Sequence, residues 1–360
     1  MTNGSTVLMG IVVLGSMIYT ISQMTTIALM TYFPVVLRFR TVKSKLSDDK
    51  FAKRHTLETK VKNIMSGEPE NYFIIYGSKG VGKTSLILKV AEKMKSVVNV
   101  KVSSADDMNI ISAAIMDEVT GISRPLHLQK LKDALESFVS KSGTIPTIIF
   151  DVERGGERKK DAELKSVLQD VRSISKEICD VCYCIIIVSE ANAVFQFGSD
   201  TSREQFIFVD EMSFEETKDF LVKRGSPFDD EELRKIYDKI GGNPGTLKEL
   251  QRNIMASNSL DDSINAIVGV ARGELGAFKL QPILKAIKEH PEGVVPLFFE
   301  KQEYKGIDMS FPEKVGDAMK EKNAIVYRID KTPQVYQMLS TKHQTALKSY
   351  NPIIDKKSFG

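Results

Sequence analysis

Cysteine is scarce in this chain of 360 residues: Cys179, Cys182 and Cys184 are the only three, and they fall in one short stretch. A structural zinc site needs four ligands, and no histidine lies near enough to complete one. Cys182 and Cys184 sit in or beside the apolar run CIIIV, so the cluster reads as buried reduced thiols, suited to a reducing compartment. Charge imbalance is also missing. A formal charge of +3 does not by itself indicate a nucleic-acid binder. Neither an internal repeat nor a low-complexity tract is present, which leaves ordinary globular units. With 42% apolar and 27% charged residues, the composition fits that class, and the length allows two or three such units.

One absence is local. No charged residue occurs before Arg38, and residues 7–37 are largely apolar. A membrane-spanning helix needs about 20 mainly apolar residues, and this stretch has room for one. Ser16, Thr20, Ser22, Gln23, Thr25 and Thr26 interrupt it, and Pro34 marks its expected end. Arg38, Arg40, Lys43 and Lys45 follow, which places the rest of the chain on the cytoplasmic side. The stretch lacks the basic start of a signal peptide and the arginines of a transit peptide. A single-pass anchor over 1–37 is therefore expected, with a re-entrant or peripheral segment and a targeting peptide as alternatives.

What is present is an alternation. Residues 38–65 read as a charged juxtamembrane linker that ends in a short helix. From Asn71 to about Val209, the apolar runs YFIIY, VVNVKV, PTIIFD, CYCIIIV and FIFV alternate with helical stretches. That pattern predicts a parallel five-stranded sheet covered by helices on both faces. Helices take over from Ser213, where Ser213 and Glu216 form a capping-box pattern. A hairpin is expected in AIVYRIDKTPQVYQML, residues 324–339.

Residues 74–86, IIYGSKGVGKTSL, carry the chemistry. Gly77 to Thr84 match the phosphate-binding pattern G-x-x-x-x-G-K-[ST]. Glycines let successive backbone N–H groups turn inward on phosphate oxygens, and the helix that follows offers its N-terminus to the same anion. Gly77, Ser78, Lys79, Gly80, Val81, Gly82, Lys83, Thr84 and Ser85 are thus the candidate nucleotide contacts. Lys83 is expected on the β- and γ-phosphates and Thr84 on a magnesium ion. A second signal is TIIFDVERGGERKK, in which an apolar strand ends on Asp151 and Glu153. A buried carboxylate is costly unless it is paired or bound to a metal, so Asp151 is the candidate Mg²⁺ partner. Glu153 lies on the same face if the strand continues and is the candidate general base; a solvated acid paired with Arg154 or Arg158 is the alternative. Strand CYCIIIV is expected between the other two, with Ser189 or Asn192 at its tip either sensing the γ-phosphate or capping a helix. Arg203 reads as a surface arginine, or as one that reaches a phosphate in a second copy of the chain.

Four stretches together carry a resemblance: GSKGVGKT, TIIFDVE, IIIVSEAN and GGNPGTL at 241–247. The chain resembles P-loop ATPases of the AAA+/STAND group, near the archaeal-ATPase and origin-recognition-like branch. The resemblance implies an α/β P-loop NTPase core with an inserted central strand, a small helical lid and a C-terminal winged helix whose wing is the hairpin. The corresponding divisions are 1–37 anchor, 38–65 linker, 66–212 core, 213–257 lid, 258–350 winged helix and 351–360 tail. It also implies Pro244 of the lid as a nucleotide contact. Many relatives have adjacent acids, whereas Val152 separates Asp151 from Glu153 here. No N-K-x-D guanine motif occurs, which favours ATP over GTP.

The expected function is that of a membrane-anchored, Mg²⁺-dependent ATPase acting as a nucleotide-controlled switch or assembly, with a homo-oligomer as one form. Two alternatives stand beside it. One is a nucleic-acid-associated ATPase working through the winged helix, where Lys279, Lys285 and Lys288 are too few for a dense basic patch. The other is a scaffold that binds ATP without hydrolysing it.

Overall fold

The computed structural model describes residues 51–103, 106–120, 127–153, 161–188, 203–226, 228–256, 259–275, 325–328, 335–338 and 340–350. The expected anchor at 1–37, the tip residues Ser189, Glu190 and Asn192, and most of the expected winged helix lie outside them. Among the described residues no helix is long and apolar enough to cross a membrane.

Five strands form one sheet: β1 (Tyr72–Tyr76), β2 (Val97–Ser103), β3 (Thr147–Glu153), β4 (Tyr183–Val188) and β5 (Glu204–Phe208). Their order is β2-β3-β4-β1-β5, and every neighbouring pair is parallel. β4 is thus inserted between β1 and β3, as its sequence predicts. Parallel strands covered on both faces need apolar side chains throughout rather than in alternation. YCIIIV satisfies this and is buried along its whole length. Alternate residues then serve two cores. Ile74, Phe150 and Ile186 pack with Leu131, Val171 and Ile174 on one face. Ile75, Ile149, Ile185 and Ile187 pack with Leu86, Ile87 and Val61 on the other.

The helices that cover the sheet are α1 (His55–Ile64), α2 (Lys83–Ala91), α3 (Met108–Thr120), α4 (Leu128–Ser142) and α5 (Asp161–Ile178). Residues 51–65, read from the sequence as linker, belong to the packed core: Phe51, Val61 and Met65 join the cluster around Ile75 and Leu86.

After β5 the chain enters three helices, α6 (Phe214–Val222), α7 (Asp230–Ile240) and α8 (Pro244–Met255). Ser213 and Glu216 form the expected capping box at α6, and Asp229 and Glu232 form a second at α7. Each box satisfies two otherwise orphaned backbone N–H groups, which sets where these short helices begin. α9 (Leu260–Leu275) and α10 (Thr341–Tyr350) pack against each other and against α7, and α9 also packs against α8. The expected hairpin is present as β6 (Ile325–Arg328) paired antiparallel with β7 (Val335–Met338).

Candidate functional site

The sheet topology brings the carboxyl ends of β1, β3 and β4 side by side, the usual place for a ligand in an open α/β sheet. The loop between β1 and α2 sits there. Gly77 opens it with φ +150°, and a Cβ on it would lie 2.2 Å from the Val209 carbonyl oxygen, so no other residue fits. Gly82 adopts the left-handed conformation at the N-cap of α2 and supplies no capping side chain. No side chain at the N-cap competes for the first N–H groups of α2, an arrangement suited to an anion.

Lys83 is 6% exposed and curls back over the loop. Its Nζ donates to the carbonyls of Gly77 at 3.0 Å and Ser78 at 2.9 Å, which holds the ammonium over the loop's centre. Thr84, one residue on, donates its hydroxyl to Asp151 Oδ1 at 3.2 Å. These two residues are 67 positions apart, and the sheet order, with β3 separated from β1 only by β4, brings them together. Asp151 is 5% exposed. A hydroxyl and a carboxylate oxygen meeting at a strand tip form a hard-oxygen donor set, which fits Mg²⁺ better than a thiophilic ion. Glu153 ends β3 opposite Ser103, two residues beyond Asp151. Its side chain lies outside the described residues.

The GGNPG stretch meets the loop directly. Asn243 caps α8, its Oδ1 accepting from Gly245 N at 2.9 Å and Thr246 N at 3.4 Å. Its Nδ2 donates to the Lys79 carbonyl at 3.0 Å and Ser78 Oγ at 3.3 Å. Gly245 N also donates to the Gly80 carbonyl at 3.1 Å. Pro244 occupies the first turn of α8, where its missing N–H costs nothing.

A cavity of about 360 Å³ lies between the loop and helices α6 and α8. Residues 79–86, with Pro244 and Gly245, line its phosphate-loop side, which contains the predicted Lys79, Gly80, Val81, Gly82, Lys83, Thr84, Ser85 and Pro244. Phe51, Ala52, Met212 and Phe220 give it an apolar wall. Arg54, Arg224 and Lys248 bring positive charge to it. The Arg224 guanidinium lies 4.5 Å from the Phe220 ring centre, a cation–π contact. Burial lowers the Arg224 pKa. Burial, followed by the repulsion of Arg224, lowers that of Lys248. Two cations held near each other at some electrostatic cost, facing an anion-binding loop, suit a polyphosphate.

Asn243, Arg54, Arg224 and Lys248 were not found from the sequence. For Asn243, the pattern Asn-Pro at a helix start announces the cap but not the bonds across to the loop. Arg203 precedes β5 at its amino end and is exposed. Its carbonyl accepts from Tyr72 N at 3.0 Å, at the end of the sheet away from the phosphate loop. Within one chain it does not join the site.

Residues 51–250, more than half of the chain, match the family described as an ATPase domain predominantly from Archaea. An uncharacterised ATP-binding protein of Methanocaldococcus jannaschii is 24% identical over 347 aligned positions, spanning 77% of this chain and 91% of its own length. Among solved structures, the Walker-type ATPase of Pyrococcus abyssi is 14% identical with a TM-score of 0.49 and covers 88% of this chain and 100% of its own. The ORC2 protein of Aeropyrum pernix is 15% identical with a TM-score of 0.42, covering 87% and 98%.

Proposed function

Because the chain belongs to the family of ATPase domains found predominantly in Archaea, we propose that it binds ATP with Mg²⁺, hydrolyses it, and uses the nucleotide to switch its lid and C-terminal region. The observation that carries the reading is a cavity large enough for a nucleotide that Lys83 and Thr84 line together with Arg224 and Lys248, with Thr84 bonded to the buried Asp151. Lys83 and the open N-terminus of α2 take the phosphates. Thr84 and Asp151 would hold the ion, which when bound offsets charge on the phosphate oxygens. Glu153 takes the proton of the attacking water. Phe51, Ala52, Met212 and Phe220 receive the base.

The switch rests on the lid's bonds to the phosphate loop through Asn243 and Gly245. It rests also on the docking of α10, whose Thr341 donates from both N and Oγ1 to the Glu211 carboxylate, at 3.3 and 2.6 Å. A change in the loop therefore bears on elements far along the chain. The uncharged stretch 7–37 followed by four basic residues supports a single-pass anchor that leaves the ATPase domain in the cytoplasm. The region 258–350, with β6–β7 as a wing, is the proposed docking site for a partner. Phosphate release by the purified full chain, with and without Mg²⁺ and duplex DNA, tests the reading. Mg²⁺-dependent release that Lys83→Ala removes is the expected result. Binding of ATP without any release refutes hydrolysis and leaves a nucleotide-binding scaffold.

A further inference from the structure

Arg54 stands immediately before α1 and is 7% exposed. Among the described residues, the carboxylate within ion-pair range of its guanidinium is Glu216, 3.6 Å from Nε and too far for a hydrogen bond; Glu58 instead accepts from the Arg54 backbone N–H at 2.8 Å. The guanidinium instead spends its donors on backbone. One terminal nitrogen donates to the Val81 carbonyl at 3.4 Å; the other donates to the carbonyls of Asp210 at 2.9 Å and Glu211 at 3.3 Å. Val81 belongs to the phosphate loop. Asp210 and Glu211 join β5 to the lid, and Glu216 is on lid helix α6. One side chain thus touches the loop, the hinge-like connection and the lid.

The backbone around Arg54 is tied in the same way. Lys223, at the C-terminal end of α6, donates to the Phe51 carbonyl at 3.1 Å. Phe51, Ala52 and Arg54 all line the cavity. Burial lowers the Arg54 pKa, against the pull of Glu216 and Asp210, so the charge is held at a cost. An apolar side chain would fill the same space without that cost. It could not hold three carbonyls from two separate segments at once, which the guanidinium fork can.

We propose that Arg54 is a positioning residue for the nucleotide: it fixes residues 51–54 as one wall of the pocket and locks that wall to the phosphate loop, so that nucleotide binding and order in the segment are coupled. This rests on the ATP-binding reading above. Coupling of this kind is reciprocal. Nucleotide orders the segment, and whatever pulls on the chain leading into Phe51 changes nucleotide affinity. The stretch before the pocket becomes a control input to the site rather than a passive tether.

Hydrogen–deuterium exchange of the full chain, followed in peptides covering 51–60 and 77–84 with and without MgATP, tests this. In the wild type both peptides slow when nucleotide binds. In Arg54→Gln the 77–84 peptide still slows at saturating nucleotide, the 51–60 peptide does not, and Kd rises by about tenfold or more, the usual effect of losing a hydrogen-bonded charge. Arg54→Lys keeps the charge without the fork and remains as weak as the glutamine variant. Wild-type affinity in Arg54→Gln, full recovery with lysine, or a 51–60 peptide that nucleotide leaves unchanged in the wild type each overturns the proposal. The last of these needs no variant and decides even if Arg54→Gln fails to fold. If wild type shows no slowing at 77–84, the nucleotide reading itself fails instead.

Discussion

Asn243 joins two jobs in one side chain, and substitution separates them. Its Oδ1 caps α8 and its Nδ2 holds the phosphate loop, while the residue is only 4% exposed. Asn243→Ala removes a cap worth about 1 kcal/mol and two side-chain bonds worth about 0.5–1.5 kcal/mol each. The expected loss is about 2–4 kcal/mol, or roughly 5–10 °C in Tm for a domain of this size. Asn243→Asp keeps the acceptor and therefore the cap, so its stability falls less. The aspartate cannot donate to the Lys79 carbonyl, however, and it places a negative charge beside the phosphate site. At an effective dielectric near 20, that repulsion is on the order of 2 kcal/mol or more against a polyphosphate. The two variants should therefore cross: alanine is the less stable, aspartate the weaker binder. Denaturant unfolding of the nucleotide-free protein and calorimetric ATP titration measure the two orders. If stability and affinity fall in the same order, the separation of cap from clasp is wrong.

Lys83→Ala should weaken ATP binding by about 1.5–3 kcal/mol, the worth of a charge-assisted contact, and equal affinity by calorimetry would remove the phosphate site from this loop. Glu153→Gln should leave ATP bound while phosphate release slows by about 10²–10⁴-fold; normal turnover would place the base elsewhere. Because burial and Arg224 hold the Lys248 pKa below 10.5, ATP binding in alkaline buffer, between that lowered value and 10.5, should be accompanied by proton uptake, since phosphates favour the protonated lysine. ATP affinity should fall as pH rises through that depressed value, while folding stability rises between it and 10.5, since the unfolded lysine then binds more protons. Titrations in two buffers of different ionisation enthalpy detect the uptake, and Lys248→Met should abolish it. The full chain should stay with membranes through carbonate washing, because insertion of an apolar helix is not screened as a basic surface contact is; release by carbonate would reduce residues 7–37 to a peripheral contact.

The sheet was legible because its strands are buried on both faces. Runs such as YFIIY and YCIIIV have few other uses in a chain with ordinary charge content. The capping box at Ser213 was legible because it is a contact between residues three apart. Helix ends were less so. α2 stops at Ala91 and β2 begins at Val97, although the apolar spacing of the sequence continues to Lys95. Between them Ser96 takes φ +62°, a left-handed conformation that no local pattern announces in a serine. Residues 51–65 looked like linker because α1 is mostly polar. Val61 is the one helix residue fully buried, and the helix is held by Phe51 before it and Met65 after it.

At the site, legibility followed distance along the chain. The phosphate loop is contiguous and so was read entire. The meeting of Thr84 with Asp151 needed only the topology of three parallel strands. The lid needed more, since the Asn243 bonds to Ser78 and Lys79 span 165 and 164 positions. One residue nevertheless recorded that contact. Gly80 falls at a position where the phosphate-binding pattern accepts any residue. It is glycine here with φ +85°, and a Cβ on it would lie 2.9 Å from Asn243 Oδ1 and 3.3 Å from the Gly245 Cα. Gly245 answers from the other side, where a Cβ would lie 3.2 Å from the Gly80 Cα. The two glycines sit in separate motifs, yet each is small because the other chain segment passes against it. A glycine in the loop beyond those phosphate binding requires is thus a mark of the lid's close approach, carried in the sequence but readable only once the lid is in place.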